Sequence, residues 1–204
     1  MVFQDRRQAG RELAAELRRR HYEHPVVLGL PRGGVPVAAE VARELKAPLD
    51  VIVVRKLGVP GMPEVAIGAI GEDGSRVLDR HTMREAQVSD RDLDQVTTRE
   101  RAALDKRVTR LRGDHRQVPL REATAIIVDV GVATGSTARA ACDVARERGA
   151  STVVLAVPVA PDDVVSRLAR AADEVVCVQQ PEFFSAVGEW YVNFGQTSDT
   201  EVLR

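Results

Sequence analysis

Residues 125–137 read Ala-Ile-Ile-Val-Asp-Val-Gly-Val-Ala-Thr-Gly-Ser-Thr, so an apolar run ends on Asp129 and small, hydroxyl and glycine residues follow. Backbone N–H groups of such a turn, the hydroxyls of Thr134, Ser136 and Thr137, and the positive end of a following helix together form a cradle for a monophosphate. The run is not a Walker loop, because no Lys follows Gly135, and it lacks the G-x-G-x-x-G spacing. Two other apolar stretches end on unusual residues, Pro31-Arg32-Gly33-Gly34 and Arg55-Lys56. Glycines let backbone amides approach a ligand closely, and a guanidinium adds charge-assisted donors. Taken singly, Arg32-Gly33-Gly34 also fits a plain strand-to-helix turn, and Arg55-Lys56 a solvated strand end. Their coincidence at three strand tips favours a shared site.

The elements that must position these runs are legible in the apolar spacing. Ala9, Leu13 and Leu17 recur every four residues behind Asp5, which predicts a capped amphipathic helix from Asp5 to about Arg20. Residues 26–30, 50–54, 125–129, 152–157 and 174–178 are short, continuous apolar runs, the pattern of parallel strands buried on both faces. Helical patterns lie between them at 35–46, at 137–148 with Gly149 as terminator, and from Pro161. Residues 57–63 read as a Gly/Pro-rich loop, and 65–78 as two short strands turning at Glu72-Asp73-Gly74. Ser89-Asp90-Arg91-Asp92 reads as a capping box that opens a long charged helix to about Arg112. The sum is a doubly wound α/β fold: a mostly parallel five-stranded sheet with helices on both faces and an antiparallel hairpin excursion. Ligands of such sheets sit beyond the C-terminal ends of the strands, where the three runs fall.

Composition narrows the function further. The chain has 204 residues, 44% of them hydrophobic, enough for one core without disulfide or metal staples. Lys plus Arg (29) nearly balance Asp plus Glu (30), so no global field favours nucleic acid or an anionic membrane. Residues 76–116 hold eleven basic and eight acidic side chains, too even for a phosphate-tracking face, which argues against an RNA-binding regulator. No apolar stretch approaches the roughly eighteen residues of a membrane span. With no signal-like start and two lone cysteines, Cys142 and Cys177, the reading is a cytoplasmic protein with small buried thiols. His21 and His24 lack a third ligand nearby, and His81 and His115 stand alone, so no zinc site or Ser/His/Asp constellation is expected. Aromatic residues are few, and Phe183, Phe184, Trp190, Tyr191 and Phe194 are concentrated near the C-terminus.

Residues 125–137 resemble the phosphoribosyl pyrophosphate signature of the type I phosphoribosyltransferase family. The likeness extends to 29–38 (Gly-Leu-Pro-Arg-Gly-Gly-Val-Pro-Val-Ala), 53–58 (Val-Val-Arg-Lys-Leu-Gly), 158–161 (Pro-Val-Ala-Pro) and 186–191 (Ala-Val-Gly-Glu-Trp-Tyr), a set similar to a bacterial phosphoribosyltransferase group. The resemblance implies transfer of a phosphoribosyl group from phosphoribosyl pyrophosphate to a nitrogenous, nucleobase-like acceptor, with Mg²⁺ as cofactor and pyrophosphate released. It implies one domain over 1–204, with a core of about 25–180, an insertion at about 64–115, a hood from about 1–22 and 181–204, and a two-fold homodimer. Asp129 would bind the ribose and reach the Mg²⁺ through ligand or water, and Ala133, Thr134, Gly135, Ser136 and Thr137 would bind the 5-phosphate. Arg32, Gly33, Gly34, Arg55 and Lys56 would bind the pyrophosphate, with Asp129, Arg32 and Lys56 as the catalytic residues. A cis peptide at Pro31–Arg32 and a mobile lid over 57–64 would complete the site. Phe183, Phe184, Trp190 or Tyr191 would stack on the acceptor, or else close the sheet edge or a dimer interface.

Two residues depart from the family pattern. Most relatives carry two consecutive acids where this chain has Asp129-Val130, and an unpaired, desolvated ribose hydroxyl costs roughly 1–3 kcal/mol. That is about tenfold to a hundredfold in affinity or rate. The alternative is a non-catalytic sensor that binds phosphoribosyl pyrophosphate or a nucleotide without turnover. Ala133 replaces the Asp that approaches the ring in some 6-oxopurine enzymes, which weighs against that acceptor class.

Overall fold

The computed structural model describes residues 2–112 and 115–203. Met1, Gly113, Asp114 and Arg204, which fall in the expected hood and insertion, lie outside the described residues. In chain order the elements are α1 (Arg6–Arg18), β1 (Pro25–Gly29), α2 (Gly34–Leu45), β2 (Leu49–Val51), β3 (Val54–Val59), β4 (Met62–Gly71), β5 (Arg76–Leu78), α3 (Arg80–Glu85), α4 (Asp90–Arg112), β6 (Thr124–Val128), α5 (Ser136–Glu147), β7 (Thr152–Val159), α6 (Asp162–Leu168), β8 (Glu174–Gln179), a 3₁₀ turn (Val187–Trp190) and α7 (Asp199–Val202).

The continuous apolar runs bury both faces of one parallel sheet, ordered β2-β1-β6-β7-β8. Side chains alternate between two cores. Leu28, Ile127 and Leu155 face Ala141, Val144 and Leu168 on α5 and α6, whereas Val27, Ile126 and Val154 face Leu13 and Leu17 of α1 and Val37 and Val41 of α2. The expected helix starts at Asp5 and Ser89 are present: Asp5 Oδ1 accepts from Gln8 N at 2.8 Å, and Ser89 and Asp92 cap each other. β1 and β6 are neighbours, yet α2 leaves β1 on one face and α5 leaves β6 on the other. A crevice opens between the ends of such a pair.

The middle of the chain corrects three expectations. The run 50–54 is not one strand: Leu49–Val51 closes the edge of the parallel sheet, Ile52 and Val53 bend away, and Val54 opens β3 in a second sheet. An apolar run shows burial but not which sheet is covering it, and here Ile52 and Val54 enter the main core while Val53 enters another. Residues 57–63 are not a loop, because Leu57–Val59 pairs back on β4 around Pro60-Gly61, which places the expected lid on a hairpin. The excursion is a three-stranded antiparallel sheet, β3-β4-β5, rather than a single hairpin. Its core of Leu57, Ile67 and Ile70 is closed by Leu93, Val96 and Leu104 of α4. A short helix, α3, also forms where no helix is expected, with Asp79 accepting from Thr82 N at 3.0 Å.

Arg112, at the end of α4, fastens this cap to the parallel sheet. Its guanidinium meets Asp50 at 2.8 Å, Glu72 at 2.6 Å and the Val51 carbonyl at 2.9 Å. Burial opposes its charge, but the Glu72 and Asp50 carboxylates more than offset this and hold its pKa above the ordinary value. Losing one partner of so buried a group costs about 3–5 kcal/mol.

Candidate active site

The crevice is built first from backbone. Leu30 N donates to Val128 O at 2.8 Å and Gly34 N to Leu30 O at 3.0 Å, so the turn after β1 lies against the end of β6. The Pro31–Arg32 peptide is cis, as the family resemblance implied. A Cβ on Gly34 would stand 2.6 Å from Val128 O and 2.9 Å from Asp129 Cα, so only glycine permits this approach. Gly33 lies against Val130, whose Cγ1 would be 3.1 Å from a Cβ there.

Asp129 follows β6 and keeps a solvent-facing edge. Burial raises its pKa to about 7, against the Val130 N–H bonded to Oδ1 at 2.7 Å and the positive charge of Arg107. Beyond it, Ala133, Thr134 and Thr137 are exposed around the start of α5, and Ser136 is half-buried. Gly135 caps α5 at φ +82°, a conformation open to glycine, and no side chain bonds to the helix's first amides. α2 likewise starts behind Gly33 without a side-chain cap. The α5 start leaves N–H donors for an anion, whereas at α2 Gly34 N and Val35 N are bonded to Leu30 O and Arg32 O and Pro36 has no N–H.

The cap supplies positive charge opposite these turns. Arg55, Lys56 and Arg107 line a cavity of about 300 Å³ with Ser136 and Thr137. Arg55 is engaged there, donating to Glu100 Oε2 at 2.6 and 2.9 Å. Burial of Glu100 opposes its charge, yet the Arg55 and Arg99 guanidiniums hold its carboxyl below the usual range. Lys56 meets the exposed Glu64 at 3.5 Å. A neighbouring cavity of about 350 Å³ contains Arg32, Lys106, Arg107, Arg110 and Asp199 of the C-terminal segment. Asp199 lies 3.5 Å from Arg32 and 3.8 Å from Arg110.

The C-terminal aromatics divide. Tyr191 is buried, its hydroxyl donating to Val130 O at 2.5 Å and its ring against Phe3 and Phe194. Phe184 and Trp190 stack on each other with ring centroids 6.5 Å apart. Phe183 is 87% exposed, away from that cluster. Phe3 pairs with Tyr191 as a β-bridge, which joins the two terminal segments. Arg6 lies over the Phe194 ring at 4.4 Å. Sequence reasoning missed Arg107, Arg6 and Asp199, since each is one charged residue among many and nothing local marks its long-range neighbours. Among the described residues, no group of three or more His, Cys, Asp or Glu is placed to hold a metal ion, and no helix is long and apolar enough to cross a membrane.

The fold is that of the doubly wound α/β class, with a crevice bordered by the glycine turns before α2 and α5, one strand-end acid and a basic cap. More specifically, the chain belongs to the phosphoribosyl transferase domain family, which matches residues 3–194. It is 45% identical to TT1426 from Thermus thermophilus, whose crystal structure superposes with a TM-score of 0.90 over 99% of this chain and 96% of that one. It is 55% identical over 202 residues to each of two Mycobacterium tuberculosis proteins, "Putative phosphoribosyl transferase MT0597" (strain CDC 1551 / Oshkosh) and "Putative phosphoribosyl transferase Rv0571c" (strain ATCC 25618 / H37Rv). These matches cover 99% of this chain and 46% of each relative, so the chain spans about half the length of those curated relatives.

Proposed function

We propose that this protein transfers the phosphoribosyl group of phosphoribosyl pyrophosphate to a nitrogenous acceptor of nucleobase type and releases pyrophosphate. The observation that supports this most is the meeting of three turns at one crevice: Gly33-Gly34 against Asp129, residues 133–137 at the start of α5, and Arg55-Lys56 on the cap facing Ser136 and Thr137. In this reading the α5 amides and the Thr134, Ser136 and Thr137 hydroxyls hold the 5-phosphate. Asp129 accepts from a ribose hydroxyl, and the Arg32–Gly34 turn with Lys56 faces the pyrophosphate. The acceptor nitrogen forms the bond to C1 as the C1–O bond breaks, and its electron pair leaves with the pyrophosphate, inverting C1. Donors aimed at that departing charge lower the barrier most.

Mg²⁺ fits the donor set in a limited way. Asp129 Oδ1 is occupied by the Val130 N–H, which leaves Oδ2, and valine supplies no oxygen beside it. A hard, water-retaining cation would therefore be held by pyrophosphate oxygens and water, with Asp129 as the protein's contribution. Bound there, it would neutralise the leaving group. A cytoplasmic setting suits the two thiols, which burial pushes up to about 12 for Cys142 and about 11 for Cys177, well away from reactive thiolates.

The test is pyrophosphate release from phosphoribosyl pyrophosphate in Mg²⁺ with a panel of purine, pyrimidine and pyridine bases, read beside calorimetric binding of ribose 5-phosphate. Release with at least one base is the expected result. Tight donor binding with silence across the panel refutes the transferase and leaves the sensor. Thr134→Val is expected to weaken ribose 5-phosphate binding about tenfold to a hundredfold, the loss of one bond to a charged group. Equal binding by both proteins removes the cradle.

A further inference from the structure

Arg107, like Lys106 beside it in the basic cavity, has no ion-paired carboxylate among the described residues. It projects from α4 and is half-buried, and its Nη2 donates to Pro31 O at 2.7 Å, in the turn between β1 and α2. Neighbouring acids are committed elsewhere: Glu100 to Arg55 and Arg99, Asp199 to Arg32 and Arg110, Asp50 and Glu72 to Arg112. Among the described residues no carboxylate forms an ion pair with Arg107. Burial disfavours its charge, Arg55 and Arg32 push in the same direction, and Asp199 and Asp129 only partly oppose them, so its pKa falls below the ordinary arginine value. A guanidinium stays charged nonetheless, with five N–H donors in a fixed fork. One of them is spent on Pro31.

A half-buried cation between two like charges is a costly arrangement, and costs of this kind collect where a ligand repays them. Arg107 lines both the cavity shared with Arg55, Lys56, Ser136 and Thr137 and the basic cavity shared with Arg32, Lys106 and Arg110. It thus stands at the junction of the 5-phosphate turn and the Arg32 turn. Resting on the phosphoribosyl reading above, we infer that Arg107 binds the pyrophosphate of the donor through its free N–H groups while its bond to Pro31 O holds the fork in place. The charge it neutralises grows as the C1–O bond breaks. The cap therefore contributes a diphosphate ligand from α4, in addition to the strand residues Arg55 and Lys56. A merely structural latch on Pro31 would use the same hydrogen bond but would not discriminate between diphosphate and monophosphate ligands.

That difference is the test. Calorimetry with inorganic pyrophosphate and, separately, ribose 5-phosphate, at fixed Mg²⁺ and ionic strength, is run on wild type, Arg107→Gln, Arg107→Lys and Arg91→Gln, with thermal melts of each. Arg91 is an exposed position of the same helix, and its change removes the same charge. Arg107→Gln is expected to weaken pyrophosphate binding at least tenfold and ribose 5-phosphate binding less than twofold. Arg107→Lys, which keeps charge without the fork, is expected in between, and Arg91→Gln to match wild type. Unchanged pyrophosphate affinity in Arg107→Gln overturns the role, and so does equal loss of both ligands in a variant that still melts cooperatively. Should Arg107→Gln fail to fold, Arg107→Lys decides alone: wild-type pyrophosphate affinity in it overturns the need for the fork. Wild type that binds neither probe refutes the phosphoribosyl reading itself, a separate outcome.

Discussion

Gly34→Ala tests the claim that close backbone packing aligns the crevice. An added methyl would stand 2.6 Å from Val128 O, 2.9 Å from Asp129 Cα and 3.3 Å from Asp129 Oδ1. Two of these atoms are backbone at the end of the central strand β6, where neither can swing away like a side chain. The start of α2 and the Asp129 turn must separate by several tenths of an ångström. Overpacking of this kind costs about 1–3 kcal/mol, while alanine's helix preference over glycine returns roughly 0.5–1 kcal/mol. A net loss of about 1–2 kcal/mol corresponds to a melting temperature lower by roughly 2–8 °C for a chain of this length. The same shift displaces the carboxylate that would meet the ribose, so calorimetry with phosphoribosyl pyrophosphate is expected to show about tenfold weaker binding. Gly195→Ala is the control, because nothing lies within 4 Å of a Cβ there. Equal melting temperature and equal affinity in Gly34→Ala would refute the packing argument.

Two further outcomes concern the strand-end pair. Burial raises the Asp129 pKa from 3.8 to about 7, so the folded state prefers the protonated acid; the stability this contributes is full below about pH 4 and lost as pH rises through about 7. Asp129→Asn cannot titrate and is expected to gain on wild type in urea unfolding as pH rises from about 4 to about 7 and to gain no more above that, by at most about 1.4 kcal/mol per pH unit, less because the carboxyl keeps a solvent-facing edge; a gap independent of pH would refute this. Val130→Asp places a second acid near Arg6, whose buried Nε has no partner and which, like Val130 Cγ1, lies within 4 Å of the point a Gly33 Cβ would occupy. It is expected to tighten phosphoribosyl pyrophosphate binding in Mg²⁺ about tenfold to a hundredfold, and an unchanged or weaker Kd would show that the missing carboxylate is immaterial.

What could be read in the sequence was whatever local pattern determines. The parallel sheet was legible because Val26–Val27–Leu28 and Ala125–Ile126–Ile127 alternate between two buried faces, leaving apolar runs with no polar side. Ser89 and Asp92 were legible because a capping box closes within four residues. The split after Val51 was not, since Ile52, Val53 and Val54 are equally apolar whichever core receives them. Nor was the pairing of Leu57–Val59, where Gly and Pro suggest a loop and only a partner strand 62–71 overrides them. For the site, the three turns announced themselves through glycines and hydroxyls. Arg107 did not, because its meaning lies in Pro31, 76 positions away, and in carboxylates already taken by other arginines.

The contact between Arg32 and Asp199 has a consequence for binding. Asp199 is a built-in counter-ion, 3.5 Å away and partly exposed, and such pairs contribute about 0–1 kcal/mol. An anion that reaches Arg32 therefore enters by exchange rather than addition: one carboxylate leaves as a phosphate arrives, and the guanidinium changes partners without a bare intermediate. Fewer dissolved ions are displaced than the count of arginines suggests, so affinity at this position falls less steeply with salt than it would for an unpaired cation.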